Sequence, residues 1–175
     1  MGGSQKRGTM LKAILACLAV VLGAATALAD ARQDCGQVHD HHLAIRGCSE
    51  VIRGNGRDAW AYANRSHAYE RIGQYQLSLA DGHRAVDLDP SQPLHFVNRA
   101  AAYIGLRDYS RALADIDAAL RIDPRNAVAF VNRAFVYEQL GNRNLAVEDY
   151  RRTLQYEPDN QYARDALRRL GAGSY

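Results

Sequence analysis

From residue 59 onward, apolar positions recur at helical spacing within short segments, and the segments themselves recur. Phe96 to Pro124 reads FVNRAAAYIGLRDYSRALADIDAALRIDP, and a shift of 34 residues either way gives Tyr62 to Pro90 and Phe130 to Pro158. Tyr69, Tyr103 and Tyr137 fall in phase, as do the Asn-Arg pairs at 64–65, 98–99 and 132–133 and the prolines at 90, 124 and 158. Within each copy the pattern predicts two helices: Ala59 to Ile72 with Tyr75 to Asp87, Leu94 to Leu106 with Tyr109 to Arg121, and Val128 to Leu140 with Arg143 to Gln155. Each proline stands where a helix cannot continue. A period of this length predicts a stack of helical hairpins, because one hairpin cannot bury its apolar stripe alone.

The pattern frays at both ends. Residues 30–37 (DARQDCGQ) read as irregular. Val38 to Arg53 has roughly helical spacing and stops at Gly54-Asn55-Gly56. Ala44 and Val51 fall in the 34-residue phase, so this segment reads as the second helix of an incomplete repeat, an N-terminal cap. Gln161 to Leu170 is amphipathic, with Arg164, Asp165, Arg168 and Arg169 outward, and reads as a closing helix. The expected organisation is all-α, a solenoid: leader 1–29, capping half-repeat 30–58, repeats 59–92, 93–126 and 127–160, and closing helix with tail 161–175.

Composition changes this picture at the N-terminus. Residues 10–29, MLKAILACLAVVLGAATALA, are apolar, follow Lys6 and Arg7, and end Ala27-Leu28-Ala29. That is the form of a secretory signal peptide cleaved after Ala29, which implies export to a periplasm or beyond the cell. A retained membrane anchor is the alternative, although a run of about 17–20 residues is short for a span; lipidation at Cys17 fits less well, because the apolar run continues past it. Of the 22 basic residues of the whole chain, Lys6, Arg7 and Lys12 lie in the leader, which leaves 19 arginines, no lysine and 19 acidic residues. A neutral mature chain gives no reason to expect nucleic acid or an anionic membrane surface as partner. Cys35 and Cys48 are then an even pair in an exported protein, which reads as a disulfide.

The repeats resemble the tetratricopeptide repeat. Counting Ala59, Pro93 and Ala127 as position 1, bulky residues occupy position 4 (Tyr62, Phe96, Phe130) and small ones position 8 (Ser66, Ala100, Ala134). Tyrosine recurs at position 11, small residues at position 20 (Ser78, Ala112, Ala146) and 27 (Ala85, Ala119, Thr153), and proline at position 32. Two departures stand out: Gly82, where a large residue is usual, and Arg107, where a turn glycine is missing and Gly105 precedes by two residues.

The resemblance implies a concave groove lined by the first helix of each hairpin, suited to a protein or peptide segment. The expected lining is Trp60, Asn64, His67, Leu94, Val97, Asn98, Ala101, Val128, Val131, Asn132 and Phe135, with Ala63 between. Asn is a poor residue in mid-helix, so the row Asn64, Asn98, Asn132 has a task. It bonds either the backbone of a bound segment or that of the neighbouring repeat. Some family members grip a terminal carboxylate with Lys, Asn and Arg; the mature chain has no Lys, so that function does not carry over. Arg65–Asp81, Arg99–Asp115 and Arg133–Asp149 are expected as ion pairs inside each repeat, the alternative being an arginine ladder open to an anionic partner. His39-Asp40-His41-His42 is the only metal-like cluster, and it offers too few convergent ligands for zinc. No nucleophile spacing or phosphate-binding loop points to an enzyme or a cofactor. The reading is an interaction scaffold; the alternative is a structural or self-associating subunit whose groove is filled by its own termini, with metal binding at His39–His42 third.

Overall fold

The computed structural model describes residues 23 and 25–173. Among these there are nine helices and no strand. Helix α1 covers 25–35, followed by α2 (His41–Gly54), α3 (Ala59–Arg71), α4 (Tyr75–Leu88), α5 (Pro93–Gly105), α6 (Tyr109–Ile122), α7 (Ala127–Gln139), α8 (Arg143–Tyr156) and α9 (Gln161–Arg169).

Local chemistry starts these helices. Asp58, Asp108, Asn126 and Asn160 each accept a hydrogen bond from the amide three residues on, as an N-cap should. Pro93 opens α5, where its fixed φ suits the first turn and its missing N–H costs nothing. The turns between paired helices need a left-handed residue. Gly73 and Gly141 supply φ of 75° and 76°, and at the same phase Arg107 is forced to 60°.

Small residues then let the helices meet. Ser66 is fully buried and donates to the Ser78 carbonyl of the paired helix at 2.8 Å. Ala100 with Ala112, and Ala134 with Ala146, occupy the same places in the next two pairs and are fully buried. Each pair then packs on the next: Val97, Tyr103, Ile116, Ala129 and Val136 form one core, and Ala134, Tyr150, Ala163 and Leu167 another under the closing helix. The fold is therefore an all-α solenoid, with the first helices of successive pairs side by side along one face.

The N-terminal segment departs from expectation. Residues 30–35 are helical, not irregular, and α2 is α4 displaced by 34 residues at both ends. So α1 stands where the first helix of a preceding pair would stand. Its apolar stripe is only Ala31 and Cys35, both buried, which is too thin to read as a helix from pattern. It is held by a disulfide, Cys35–Cys48, with Cα atoms 4.4 Å apart. Gly47 makes the crossing possible: a Cβ there would stand 2.5 Å from the Cys35 amide nitrogen and 2.6 Å from the Ala31 carbonyl oxygen. The leader reading falls mostly on residues 1–22 and 24, outside the described residues.

Candidate functional site

Three rows run along the stack, one residue from each repeat. The deepest is ionic. Arg65 donates to both carboxylate oxygens of Asp81 at 2.6 and 2.8 Å, Arg99 to those of Asp115 at 2.8 and 2.7 Å, and Arg133 to those of Asp149 at 2.7 and 3.0 Å. The fork geometry is the strong form of such a pair. These bonds hold the guanidinium pKa values up against the opposing effect of burial. The remaining Nη1 of each arginine reaches back sixteen residues to the previous pair, to Ser49 Oγ, His83 Nδ1 and Asp117 Oδ1 at 3.0, 3.2 and 2.9 Å. Each guanidinium also lies over the position-4 ring, with Arg65 over Tyr62, Arg99 over Phe96 and Arg133 over Phe130 at 5.7, 5.7 and 5.5 Å. A row consumed this way clamps neighbouring repeats and has little left for an anion.

The amide row is not uniform. Asn98 is 8% exposed and its Nδ2 donates to the Ala63 carbonyl of α3 at 3.0 Å. Val97 beside it is 3% exposed, inside the core. The expectation that Val97 and Asn98 face a partner is therefore corrected: adjacent first helices pack so closely that this pair is sealed between them. Asn64 has a buried Nδ2 with no hydrogen-bond partner, and Asn132 is half-buried at the edge of a cleft.

That cleft, about 310 Å³, opens where the C-terminal halves of α3, α5 and α7 meet the starts of α4 and α6. Ala101, Asn132 and Phe135, expected in the groove, line it. So do Glu70, Tyr75, Ile104, Gly105, Arg107, Tyr109 and Gln139, none of which the sequence analysis placed in the groove. Tyr75 lies against Gly105, where a Cβ would come within 2.3 Å of its ring. The signal for Tyr75 and Tyr109 was present, since both open the second helix at the same phase. Burial raises the Glu70 carboxyl pKa, partly offset by Arg71. Burial lowers His67, with Arg71 and His41 acting in the same direction; the His41 and His67 rings meet edge to face at 6.4 Å.

The outermost row is apolar. Trp60, Leu94 and Val128, each in the first turn of its helix, are 39%, 53% and 50% exposed. Arg32 of α1 lies 4.9 Å over the Trp60 ring and bonds Asp58 at 2.8 Å. Val131 is half-buried under α9, within the core there. His39 and His42 are exposed. Among the described residues no group of three or more His, Cys, Asp or Glu side chains is arranged to hold a metal ion, and no helix is long and apolar enough to cross a membrane.

Paired helices, small residues at the contacts and an open face of first helices define a helical-repeat binding scaffold. Residues 99–171 match the family model described as tetratricopeptide repeat. Similar solved structures agree. The first TPR of Spaghetti (RPAP3), bound to the HSP90 peptide SRMEEVD, is 26% identical over 67% of this chain and 93% of that one, with a TM-score of 0.62. The second TPR domain of human RPAP3, in complex with the HSP70 peptide SGPTIEEVD, is 27% identical over 63% and 92%, with a TM-score of 0.58. A thermophilic TPR protein of Thermus thermophilus, 24% identical over 74% and 72% with a TM-score of 0.68, shares the fold.

Proposed function

We propose that this protein is a protein–protein interaction scaffold without catalytic activity, which holds a peptide segment of its partner in the groove and works after export. The observation that carries the reading is the cleft between α3, α5 and α7. It offers aromatic and aliphatic walls in Tyr75, Ile104, Tyr109 and Phe135, and polar groups in Glu70, Arg107, Asn132 and Gln139. A lining that mixes apolar walls with polar and charged groups suits an extended segment: side chains fill the walls while the polar groups fix its backbone. Two family members of similar fold are solved with peptides bound, which supports the same use here. The groove is not closed by the C-terminal helix, since α9 packs on α8. Asn98, where an occupying terminus would have to lie, is covered by α3 instead.

Export draws support from the burial pattern. The described residues up to Asp30 are all exposed, and Ala31 is the first buried one. Cleavage after Ala29 would then leave Ala31, Arg32 and Cys35 with their contacts. Appearance of a mature chain beginning at Asp30 in the periplasmic fraction is the check, and a full-length chain retained in the membrane would refute it.

The function is tested by capture from envelope extract on immobilised wild type and on Asn132→Ala/Phe135→Glu. Both substituted side chains are half-buried at the cleft, so a thermal melt accompanies the capture. A partner recovered by the wild type and lost on the folded variant is expected. Equal recovery on both removes the cleft as the binding site.

A further inference from the structure

The turn between α5 and α6 is strained where its counterparts are not. Arg107 has φ 60°, while Gly73 and Gly141 stand at the same phase with φ 75° and 76°. The Arg107 amide donates to the Ile104 carbonyl and the Asp108 amide to that of Tyr103, both at 2.9 Å, so the backbone is fixed there. A side chain held at positive φ costs stability, and such strain persists where something offsets it. The fold supplies no offset. Arg107 is exposed, and among the described residues its guanidinium is in no salt bridge and over no aromatic ring. The adjacent carboxylate, Asp108, is taken by the Arg111 amide and guanidinium at 3.1 and 2.6 Å. Yet Arg107 lines the cleft. Glu70, the one acid of that lining, is also without a salt bridge among the described residues. It shares its phase with Glu138, whose carboxylate holds Arg169 at 2.8 and 2.9 Å and Tyr150 at 3.2 Å. Glu70 is half-buried, and burial raises its pKa against the effect of Arg71.

We propose that Arg107 and Glu70 are the specificity-determining residues of the cleft: Arg107 takes an Asp or Glu side chain of the bound segment, and Glu70 takes a Lys or Arg. The inference rests on the peptide-binding reading of the cleft and adds to it which charges the segment carries. A guanidinium offers a planar fork of N–H donors that matches the two oxygens of a carboxylate. A carboxylate already drawn partly out of water is completed by a cation that brings its own donors. A segment of one sign satisfies one of the two and covers the other, and a charge covered without a partner lowers affinity. The lining therefore selects a segment with both signs. Their order follows from the fold. Glu70 ends α3 and Arg107 follows α5, so the basic residue lies over the first repeat and the acidic one over the second. The apolar side chains keep the walls of Tyr75, Tyr109 and Phe135. A concave lining of both signs opposes an anionic lipid surface or a phosphate backbone.

The test selects a displayed library of random peptides, each of about ten residues, on the immobilised whole protein. Wild type is expected to enrich Asp or Glu together with Lys or Arg. Arg107→Gln keeps the backbone strain and removes the charge, so it loses the acidic preference alone. Arg107→Lys keeps that preference, and Arg107→Glu turns it into a second basic one. Glu70→Gln loses the basic preference alone. The strongest wild-type peptide, labelled and followed by fluorescence anisotropy, binds about threefold more weakly to Arg107→Gln and to Glu70→Gln. Its affinity falls with added salt, less steeply on either variant. Thermal melts of the same samples show that each variant is folded at the temperature of the selection. A preference of either sign that survives removal of its residue overturns the proposal, as do wild-type peptides with no charge preference; both outcomes leave the scaffold standing. A library that yields no peptide, or only peptides that bind folded Asn132→Ala/Phe135→Glu equally well, removes the cleft and both readings with it.

Discussion

Arg133 and Asp149 form a two-toothed ion pair across α7 and α8, and the Arg133 side chain keeps one further N–H for Asp117 of α6. The Asp149 side chain is 6% exposed and that of Arg133 23%. A pair this sheltered is costly to break from one side, because the surviving charge is left poorly solvated. Asp149→Asn should cost roughly 2–4 kcal/mol. Arg133→Leu/Asp149→Leu should recover much of that loss, since no orphan charge remains. Urea unfolding of the two variants beside wild type decides it, and a double variant weaker than the single would contradict the account.

The ion pairs were legible in the sequence because both partners repeat in phase. Their third bond was not: Ser49, His83 and Asp117 share a position but no chemistry. Period also yielded the helices of the repeats to within a residue or two, and the disulfide followed from parity and the expectation of export. It could not reveal which groove residues are sealed. Asn98 and Asn132 carry the same pattern, and they differ only in that Asn98 is sealed on the Ala63 carbonyl of α3 while Asn132 lies at the cleft. Helix α1 was missed for a related reason, its hold on α2 being a crosslink and one glycine rather than a stripe.

Gly82 shows how a departure from the repeat pattern can mislead. Read alone it weakens α4, and Ala would be the better helix former by about 1 kcal/mol. In the structure a Cβ there would stand 3.0 Å from Arg99 Cβ and 3.3 Å from its Cα. The obstacle includes the backbone of α5, so a helix must move and the Arg99–Asp115 pair with it. Gly82→Ala should therefore destabilise, by about 1–3 kcal/mol. A raised melting temperature would show that propensity wins.

Arg107 is the opposite case. At φ 60° a side chain with a Cβ is strained, and Gly73 and Gly141 fill the same place without strain. Arg107→Gly should raise stability by about 0.5–1 kcal/mol, the relief exceeding the added freedom of the unfolded chain. Gly141→Ala should lower it by about 1 kcal/mol, there being open space but the wrong backbone. Equal responses at the two sites would refute the turn argument.

His67 gives the groove a pH dependence of fixed sign. Burial first, then Arg71 and His41, hold its pKa below the ordinary value of 6.5. The folded state thus resists protonation, and stability is whole above 6.5 and falls as pH drops from there toward the folded value. Glu70, one turn on, is raised by burial, so its contribution falls as pH rises through and above the carboxylate range. Melting curves between pH 7.5 and 5.5 should decline for wild type and flatten for His67→Gln, with Glu70→Gln run alongside to separate the carboxyl. The effect is small, because the His67 residue is exposed and solvent screens its charge. An unchanged slope in His67→Gln would assign the dependence elsewhere.

The Cys35–Cys48 crosslink closes a loop with a sequence separation of 13 residues. A loop of this size restricts the unfolded chain by about 3 kcal/mol. What it restrains is local, because α1 has few other contacts: Ala31 in the core, Arg32 on Asp58 and over Trp60. Reduction should therefore act in two stages. Residues 30–40 become open to protease first, and the repeats from α3 onward keep their helical signal to a melting temperature a few degrees lower. Limited proteolysis with and without dithiothreitol, followed by mass spectrometry, reads the first stage, and circular dichroism the second. Trp60 reports on it independently: with Arg32 lifted from its ring, the fluorescence of the single tryptophan should shift to longer wavelength on reduction. Cleavage that begins in α5 or α7 instead would mean that the cap holds the whole stack rather than its own end.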